Sequence, residues 1–465
     1  MDDTKTIITV GKTNDCNFNT IQEALDNVEE NSVIQVKPGI YEEHLSFTKK
    51  VHLIGCNESI KDKSSVELPI VVFDENRSCE INVPVEIEGI VFTHKKDLQF
   101  ESLSSFIKTP LNFEDKEQKE FRSLFVINSE SYFNNIAILC SKEHGITFSE
   151  IKSSFINSFI HHTAFVGVYI AKDAAPTIDN CIITDSNIIG IKVGGTATPV
   201  ITSCKIDKSI MGVYTVETAN PTFSLCELFE TQIAIQISET SVGLYENCNI
   251  HNNSCGIRLC NSVTSKINKC TIHNNEFDGI MICDDSKPTI SDCEIHGNTR
   301  GLSMSDNSTS VITKCEIHNN KNCGILSQDT ASATVQLCEI HNQPSGIQIQ
   351  GASHGLYERC FIYDCSEVGV LHNGENVVTI KDCAIYKNAL GLMSCKGKVI
   401  IEGSEIYQNS TGINLSSDSS SELDYCDIHD NNTGVTGTPN ERPDLSNCKL
   451  WNNSHNTLFL EDIIK

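Results

Sequence analysis

A chain of 465 residues with 61 acidic against 35 basic side chains, a formal charge of −26, repels nucleic-acid phosphates and anionic membrane surfaces. Its hydrophobic share of 39% and aromatic share of 6% are lean for a wide globular core and suit a thin one. No apolar run approaches the ~18 residues of a membrane span, so neither nucleic acid nor membrane is an expected partner.

The N-terminus lacks the basic and apolar regions of a secretory signal, which makes a cytoplasmic address the expectation. Thr20 to Val28 predicts a short helix. Thr20 and Glu23 form a capping box, and Ile21, Ala24, Leu25 and Val28 share one face. This helix is a candidate cap for the open end of a solenoid. Ser32 to Val36 then reads as a strand and Pro38-Gly39 as a turn, so residues 1–56 form the cap and first coil. Val51–Gly55 and Ile70–Phe73 continue as irregular coils within 57–140. The polar, charged stretch near 95–120 reads as a loop ejected from one coil. Regular repeats fill 141–455, and the apolar tail within 456–465 closes the far end.

The repeat is set by cysteine. Residues 181, 204, 226, 248, 270, 293, 315, 338, 360 and 383 are all Cys, in steps of 22 or 23. Ser158 precedes them, and Ser404, Cys426 and Cys448 follow. Two residues after each slot stands Ile or Leu, as in Ile206, Ile250, Ile295 and Ile340. A second register holds glycine from Gly145 to Gly434, with Ala234 filling its one gap. Both registers have the period two of short strands with one buried face. Asn, Gly, Ser and Asp between them are turn residues. A unit this short cannot bury its own apolar face, so units must stack. The prediction is an all-β, right-handed, single-stranded parallel β-helix with an N-terminal capping helix. Its Cys slot faces inward, about 4.8 Å from the same slot of the next coil. Free Cys packs as a small hydrophobe, and parallel Cβ vectors suit disulfides poorly. Free thiols agree with a reducing compartment. Without CxxC-like spacing no metal site is expected, and no cofactor.

Phe18–Asp26, Val36–Glu43 and Val51–Gly55 together resemble the opening of pectin methylesterases. They also resemble the β-helical F-box-only proteins and their spindle-associated SHC-binding relatives. Gly243–Asn253 and Gly355–Asp364 resemble the coils of that second group, with Cys where those usually carry Asn. The second resemblance implies a non-catalytic module that recognises a protein target, in ubiquitin transfer or cytoskeletal regulation. No F-box-like helical segment is legible ahead of the first helix.

Catalytic constellations are missing from the sequence. A pectin-methylesterase-like site would need strand aspartates beside an arginine, within Gly-x-x-Asp-Phe and Arg-Pro-Trp motifs that do not occur. Asp284-Asp285 and Ser353-His354-Gly355 are partial echoes of a polygalacturonase, about three coils apart and without flanking motifs. The first of them reads as a turn before Lys287-Pro288. A lyase would need a Ca²⁺ carboxylate cluster with a basic residue, and the basic residues are scattered. No catalytic residue is expected.

One surface row remains. Three residues after each Cys slot stand His251, His273, His296, His318 and His341, then Tyr363, Tyr386, Tyr407, His429 and Trp451. His161 and Phe229 hold the same register upstream. Glu294, Glu316, Glu339, Glu405 and Asp427 edge the row on the same face. Three readings compete: a stacked ladder that only stabilises the surface, a groove for a protein or glycan, and metal capture by adjacent His pairs. The expected function is protein binding along this extended face, the acidic edge favouring a basic segment. The alternative is a carbohydrate-active β-helix: a lyase, an epimerase or a glycan binder.

Overall fold

The computed structural model describes residues 7–74, 77–95, 98–106, 123–149, 152–438 and 442–459. The chain divides into two compact units, Met1–Gln236 and Ile237–Lys465. The fold is an all-β, right-handed parallel β-solenoid with coils of about 22 residues.

In the first unit, strand Ile7–Val10 pairs in parallel with Val33–Val36, which pairs with Val51–Ile54. Helix Ile21–Asn27 lies between the first two and buries Ile21, Ala24 and Leu25. Its start is held from two sides. Thr20 Oγ1 accepts from Glu23 N at 3.2 Å, as the capping box requires. The Glu43 carboxylate accepts from Ile21 N at 3.0 Å and Gln22 N at 2.8 Å. That carboxylate meets two orphan donors where the helix dipole favours negative charge.

The early coils are filled by rings. Phe92 and Phe125 meet edge-on at 4.8 Å, and Phe133 lies 6.0 Å from Phe125. Later coils stack Ile138, Ile160, Ile183, Ile206 and Leu228 inward, all at 0% exposure. The outward slots of several early coils are also apolar: Ile70, Val91, Ala137 and Phe159. Apolar slots on an outer face need a cover. Ile60, Leu68, Leu98 and Leu103 supply it. Within the polar stretch near 95–120, residues 98–106 lie over the outer face of the coils and carry a helical turn at Leu103–Phe106. Residues 96–97 and 107–120 of that stretch lie outside the described residues.

In the second unit each regular coil carries three short strands. Lys266–Asn268, Thr271–His273 and Asp278–Ile282 pair in parallel with Thr289–Ser291, Glu294–His296 and Arg300–Met304. The corners need left-handed backbone, found at Lys269, Asn274 and Asp284 with φ of 51°, 55° and 57°. Coils approach closely at the glycine register. A Cβ on Gly301 would lie 2.5 Å from the Gly324 carbonyl oxygen and 2.7 Å from Ile317 Cγ2, so only glycine fits.

The cysteine ladder points inward as the spacing predicts. Cys248, Cys270, Cys293 and Cys338 are at most 2% exposed. Their thiols donate to the carbonyl two residues earlier, as from Cys270 to Asn268 at 3.4 Å and from Cys293 to Ser291 at 3.2 Å. All 22 cysteines are free thiols. Beside this ladder runs one the turn-residue reading did not foresee. Asn253, Asn275, Asn298, Asn320, Asn388, Asn409 and Asn431 are all buried. Each accepts or donates bonds with its equivalent one coil on, as from Asn275 N to Asn298 Oδ1 at 3.0 Å. At the end of the chain, strand His455–Phe459 pairs with Thr433–Gly437, and residues 460–465 lie outside the described residues.

Candidate functional site

The ring row of the second unit is one continuous stack. From His251 to Trp451, nine successive ring pairs lie 4.4–5.2 Å apart and within 18° of parallel. Parallel strands in register put equivalent side chains one strand spacing apart, which is close to ring-stacking distance. His251, His273, His296, His318, His341, Tyr363, Tyr386, Tyr407 and His429 are all members. Each ring's faces are therefore covered by its neighbours. Only ring edges, and the half-exposed Trp451 at the end, meet solvent.

The edges are also engaged. Asn319 Nδ2 donates to His318 Nδ1 at 2.8 Å, which places that ring's proton on Nε2, facing Glu294 Oε1 at 3.3 Å. His273 repeats the pattern between Asn274 at 3.0 Å and Asn249 at 3.1 Å. His341 meets Glu316 at 3.3 Å, and the Tyr363 hydroxyl donates to Glu339 at 3.3 Å. His429 differs, because both of its nitrogens face carboxylates: Asp430 at 2.8 Å and Glu405 at 3.0 Å.

Electrostatics follow this wiring. Burial, helped by the adjacent rings, holds His273 and His296 below the ordinary imidazole pKa. At His429 burial acts in the same direction, but Asp430 and Glu405 outweigh it and raise the pKa. The neutral form is thus favoured at His273 and His296, and the positive form at His429.

The stack bears on two of the ligands considered for this row, a glycan and a metal ion. Sugar stacking needs an open ring face, and from His273 to His429 both faces of each ring are occupied by neighbours. Among the described residues no histidine belongs to a group of three or more convergent metal-ligating side chains. Replacing both His296 and His318 by Ala is expected to lower the free energy of unfolding by about 1–2 kcal/mol, through lost stacking and lost contacts to Glu294. Denaturant melts measure this, and an unchanged midpoint refutes the structural role.

His161, placed upstream in the same register, is not a surface ring. It is 1% exposed, in the first unit, with its ring 6.1 Å from that of His162. Burial pushes its pKa down to about 4. His162 Nδ1 in turn meets Asp185 Oδ2 at 2.9 Å. Asp284 serves the turn as expected: its carboxylate accepts from Asn261 N at 2.8 Å.

A second candidate lies in the first unit. A cavity of about 470 Å³ opens between the segment at Asn57–Lys61 and the coil corners at Asn134–Asn135, Asn157, Asn180 and Ser203. Asn135, Asn157 and Asn180 are left-handed, with φ of 54°, 51° and 52°. Their position puts amides along one edge of the cleft. Asn157 Nδ2 donates to Asn134 Oδ1 at 2.9 Å, and Asn180 Nδ2 to Asn157 Oδ1 at 2.8 Å. Asn135 anchors the facing segment, accepting from Ile60 N at 3.0 Å and donating to Glu58 O at 2.6 Å. Phe159 and Ile182 form apolar lining, and Lys61 and Lys205 supply cations. Glu58 is the one carboxylate among the described lining residues. Its bond to Lys63, at 2.7 Å, holds its pKa below the usual carboxylate range. The sequence signal for this cleft was present as an Asn just before the Ser158 and Cys181 slots, but the facing segment is about 75 residues away along the chain, by the separation of Ile60 and Asn135.

The right handed beta helix region family matches residues 122–264, 212–340, 301–396 and 368–463. Several solved structures are similar to this chain. The periplasmic alginate epimerase AlgG shares 13% identity over 88% of this chain and 82% of its own, with a TM-score of 0.40. Pectin methylesterase PemA from Erwinia chrysanthemi shares 12% over 57% and 90%, with a TM-score of 0.34. The Dettilon tailspike protein shares 10% over 89% and 62%, with a TM-score of 0.31. Likeness at this level speaks to the fold alone. No curated protein matches the chain.

Proposed function

Because the chain belongs to the right-handed β-helix family, whose fold hosts many functions, we propose a function from its site: a glycan-binding β-helix that holds a hydroxyl-rich ligand in the cleft of the first unit. The supporting observation is the cleft itself. Its volume of about 470 Å³ falls in the range of small-ligand sites, and its amides can both donate to and accept from hydroxyl groups. Phe159 and Ile182 offer apolar lining to the C–H face of a sugar ring. Binding is favoured over hydrolysis, because glycoside hydrolysis uses two carboxyl groups and the described lining has only the ion-paired Glu58.

The test is titration of the full chain with defined uronic-acid and neutral oligosaccharides, followed by calorimetry. Asn157→Gly with Asn180→Gly keeps a residue that tolerates left-handed backbone and removes the amides. It is expected to weaken binding about tenfold, the worth of one or two hydrogen bonds, with little change in melting temperature. Failure of every oligosaccharide to bind refutes the reading.

A protein partner on the ladder face is the second reading. Its support is the exposed acidic edge, where the Glu294, Glu316 and Glu405 side chains are 47%, 52% and 53% exposed. It fits a basic segment. Ubiquitin-linked or cytoskeletal regulation rests on resemblance alone, gains no support from this geometry, and is not proposed. The 22 free thiols support a cytoplasmic setting as part of the proposal.

A further inference from the structure

We propose that Cys260 and Cys283 in the second unit form a reversibly oxidisable dithiol that a hydroperoxide converts to a disulfide linking adjacent coils. The geometry sets this pair apart from the inward cysteine ladder. Strands Cys255–Leu259 and Asp278–Ile282 run in register up to Leu259 opposite Ile282, and the two cysteines follow directly. Each stands at a coil corner, just before the left-handed Asn261 and Asp284. The two sulfurs are 3.1 Å apart, with the Cys283 thiol donating to Cys260 Sγ. Closing to a bond length requires a further approach of about 1 Å.

The surroundings favour reaction at this pair. Cys260 and Cys283 are 9% and 7% exposed, whereas the ladder cysteines Cys270 and Cys293 are 1% and 2% exposed and face the core. Arg258 lies beside the pair: burial lowers its guanidinium pKa, but the two cysteines outweigh burial and raise it, while the Asp284 carboxylate lies within 4.8 Å of both sulfurs. A guanidinium stabilises a neighbouring thiolate. The hydrogen bond to Cys260, burial and the Asp284 carboxylate all raise the Cys283 pKa, so within the pair Cys283 holds the shared proton and Cys260 Sγ, its acceptor, is the sulfur placed to attack first.

The chemistry balances in two steps. Cys260 thiolate attacks one peroxide oxygen and the O–O bond breaks. Cys260 becomes a sulfenic acid, and the departing oxygen takes a proton as water or alcohol. Cys283 then gives up its proton and attacks Cys260 Sγ. The S–S bond forms, the S–O bond breaks, and hydroxide leaves with that proton as water. Sulfur is oxidised by two electrons and the peroxide is reduced. Exchange with a small thiol reverses the bond.

The test treats the folded full chain with substoichiometric hydrogen peroxide and maps cysteines by mass spectrometry. A peptide pair linking Cys260 to Cys283 is expected to form about tenfold faster than oxidation of any other cysteine, and to disappear with dithiothreitol. Cys260→Ser and Cys283→Ser each abolish it. Arg258→Gln keeps the capacity but moves the rate's pH dependence to higher pH, which a purely structural arginine would not do. Oxidation spread over other cysteines, with no 260–283 link, overturns the proposal. So does one-to-one cadmium binding that is lost in the same serine variants while peroxide yields no link, since that assigns the thiols and Asp284 to a soft metal.

Discussion

Replacing Asn298 by Leu is expected to lower the free energy of unfolding by about 4 kcal/mol, although the two side chains have similar volume. Asn298 is 0% exposed. Its Oδ1 accepts from Asn275 N and Asn275 Nδ2, both at 3.0 Å. Its Nδ2 donates to Ile272 O at 3.1 Å and Asn320 Oδ1 at 3.3 Å. Leucine leaves two donors and two acceptors without that partner in the interior. Each unmet buried group costs about 1–3 kcal/mol, and partial relaxation keeps the sum below the maximum. Denaturant melts of variant and parent give the value. A loss under about 1 kcal/mol would show that the amide ladder contributes no more than ordinary turn residues.

Acid is expected to destabilise the first unit through two buried histidines. Burial lowers the pKa of His144 to about 4, and Lys192 adds to the effect. Burial lowers His161 equally, to about 4, against a partial opposing pull from Asp185. Both values lie below the 6.5 of an unperturbed imidazole. Between the two values the unfolded chain binds more protons than the folded one, so stability falls as the pH drops through this window and falls no further below it. Each group contributes on the order of 3 kcal/mol across the full window. Urea melts at neutral pH and near pH 4.5 measure the slope. His161→Leu, which cannot titrate, is expected to remove roughly half of it. An identical slope in parent and variant contradicts the assignment.

The parts of this fold that could be read in the sequence are those in which a residue meets its own equivalent. The Cys-x-Ile slots, the glycine register and the ring row all recur every 22 or 23 residues, and period two states which of them faces inward. Stacking then places each beside its copy. The ring row is legible as a row, and a stacked ladder is one of its three readings, but the sequence does not choose among them. That choice depends on the rotamer each ring adopts against the next. The buried asparagines were read as turn residues because Asn at a corner is ordinarily solvated. Five residues after their Cys slots, Asn253, Asn275, Asn298 and Asn320 share the period of the cysteines, broken afterwards at Gln343 and Cys365, and that periodicity is a signal in the sequence.

Less regular features were hidden for a different reason. Glu43 at the helix start, Leu98 and Leu103 over the early coils, and the segment facing Asn135 all depend on contacts between chain regions that share no repeat. The burial of His161 is of this kind too: in one register slot His161 is 1% exposed, whereas Trp451 is 48% exposed. Repetition fixes the direction of a side chain. It does not determine what lies across from it.

The asparagine ladder has one more consequence, for how such a chain changes length. Its amide-to-amide bonds run from one rung to the equivalent rung one coil on, as in Asn388 N to Asn409 Oδ1 and Asn409 N to Asn431 Oδ1, both at 2.9 Å, and its bonds to backbone carbonyls repeat with the same period, as from Asn388 to Ile362 O and from Asn409 to Ile385 O. Excising one whole coil rejoins donor to acceptor with nothing orphaned. Excising a fraction of a coil puts a strand residue against an amide and strands both. Growth and loss in this molecule are therefore quantised in units of a full turn, and the amides act as the teeth that enforce the step.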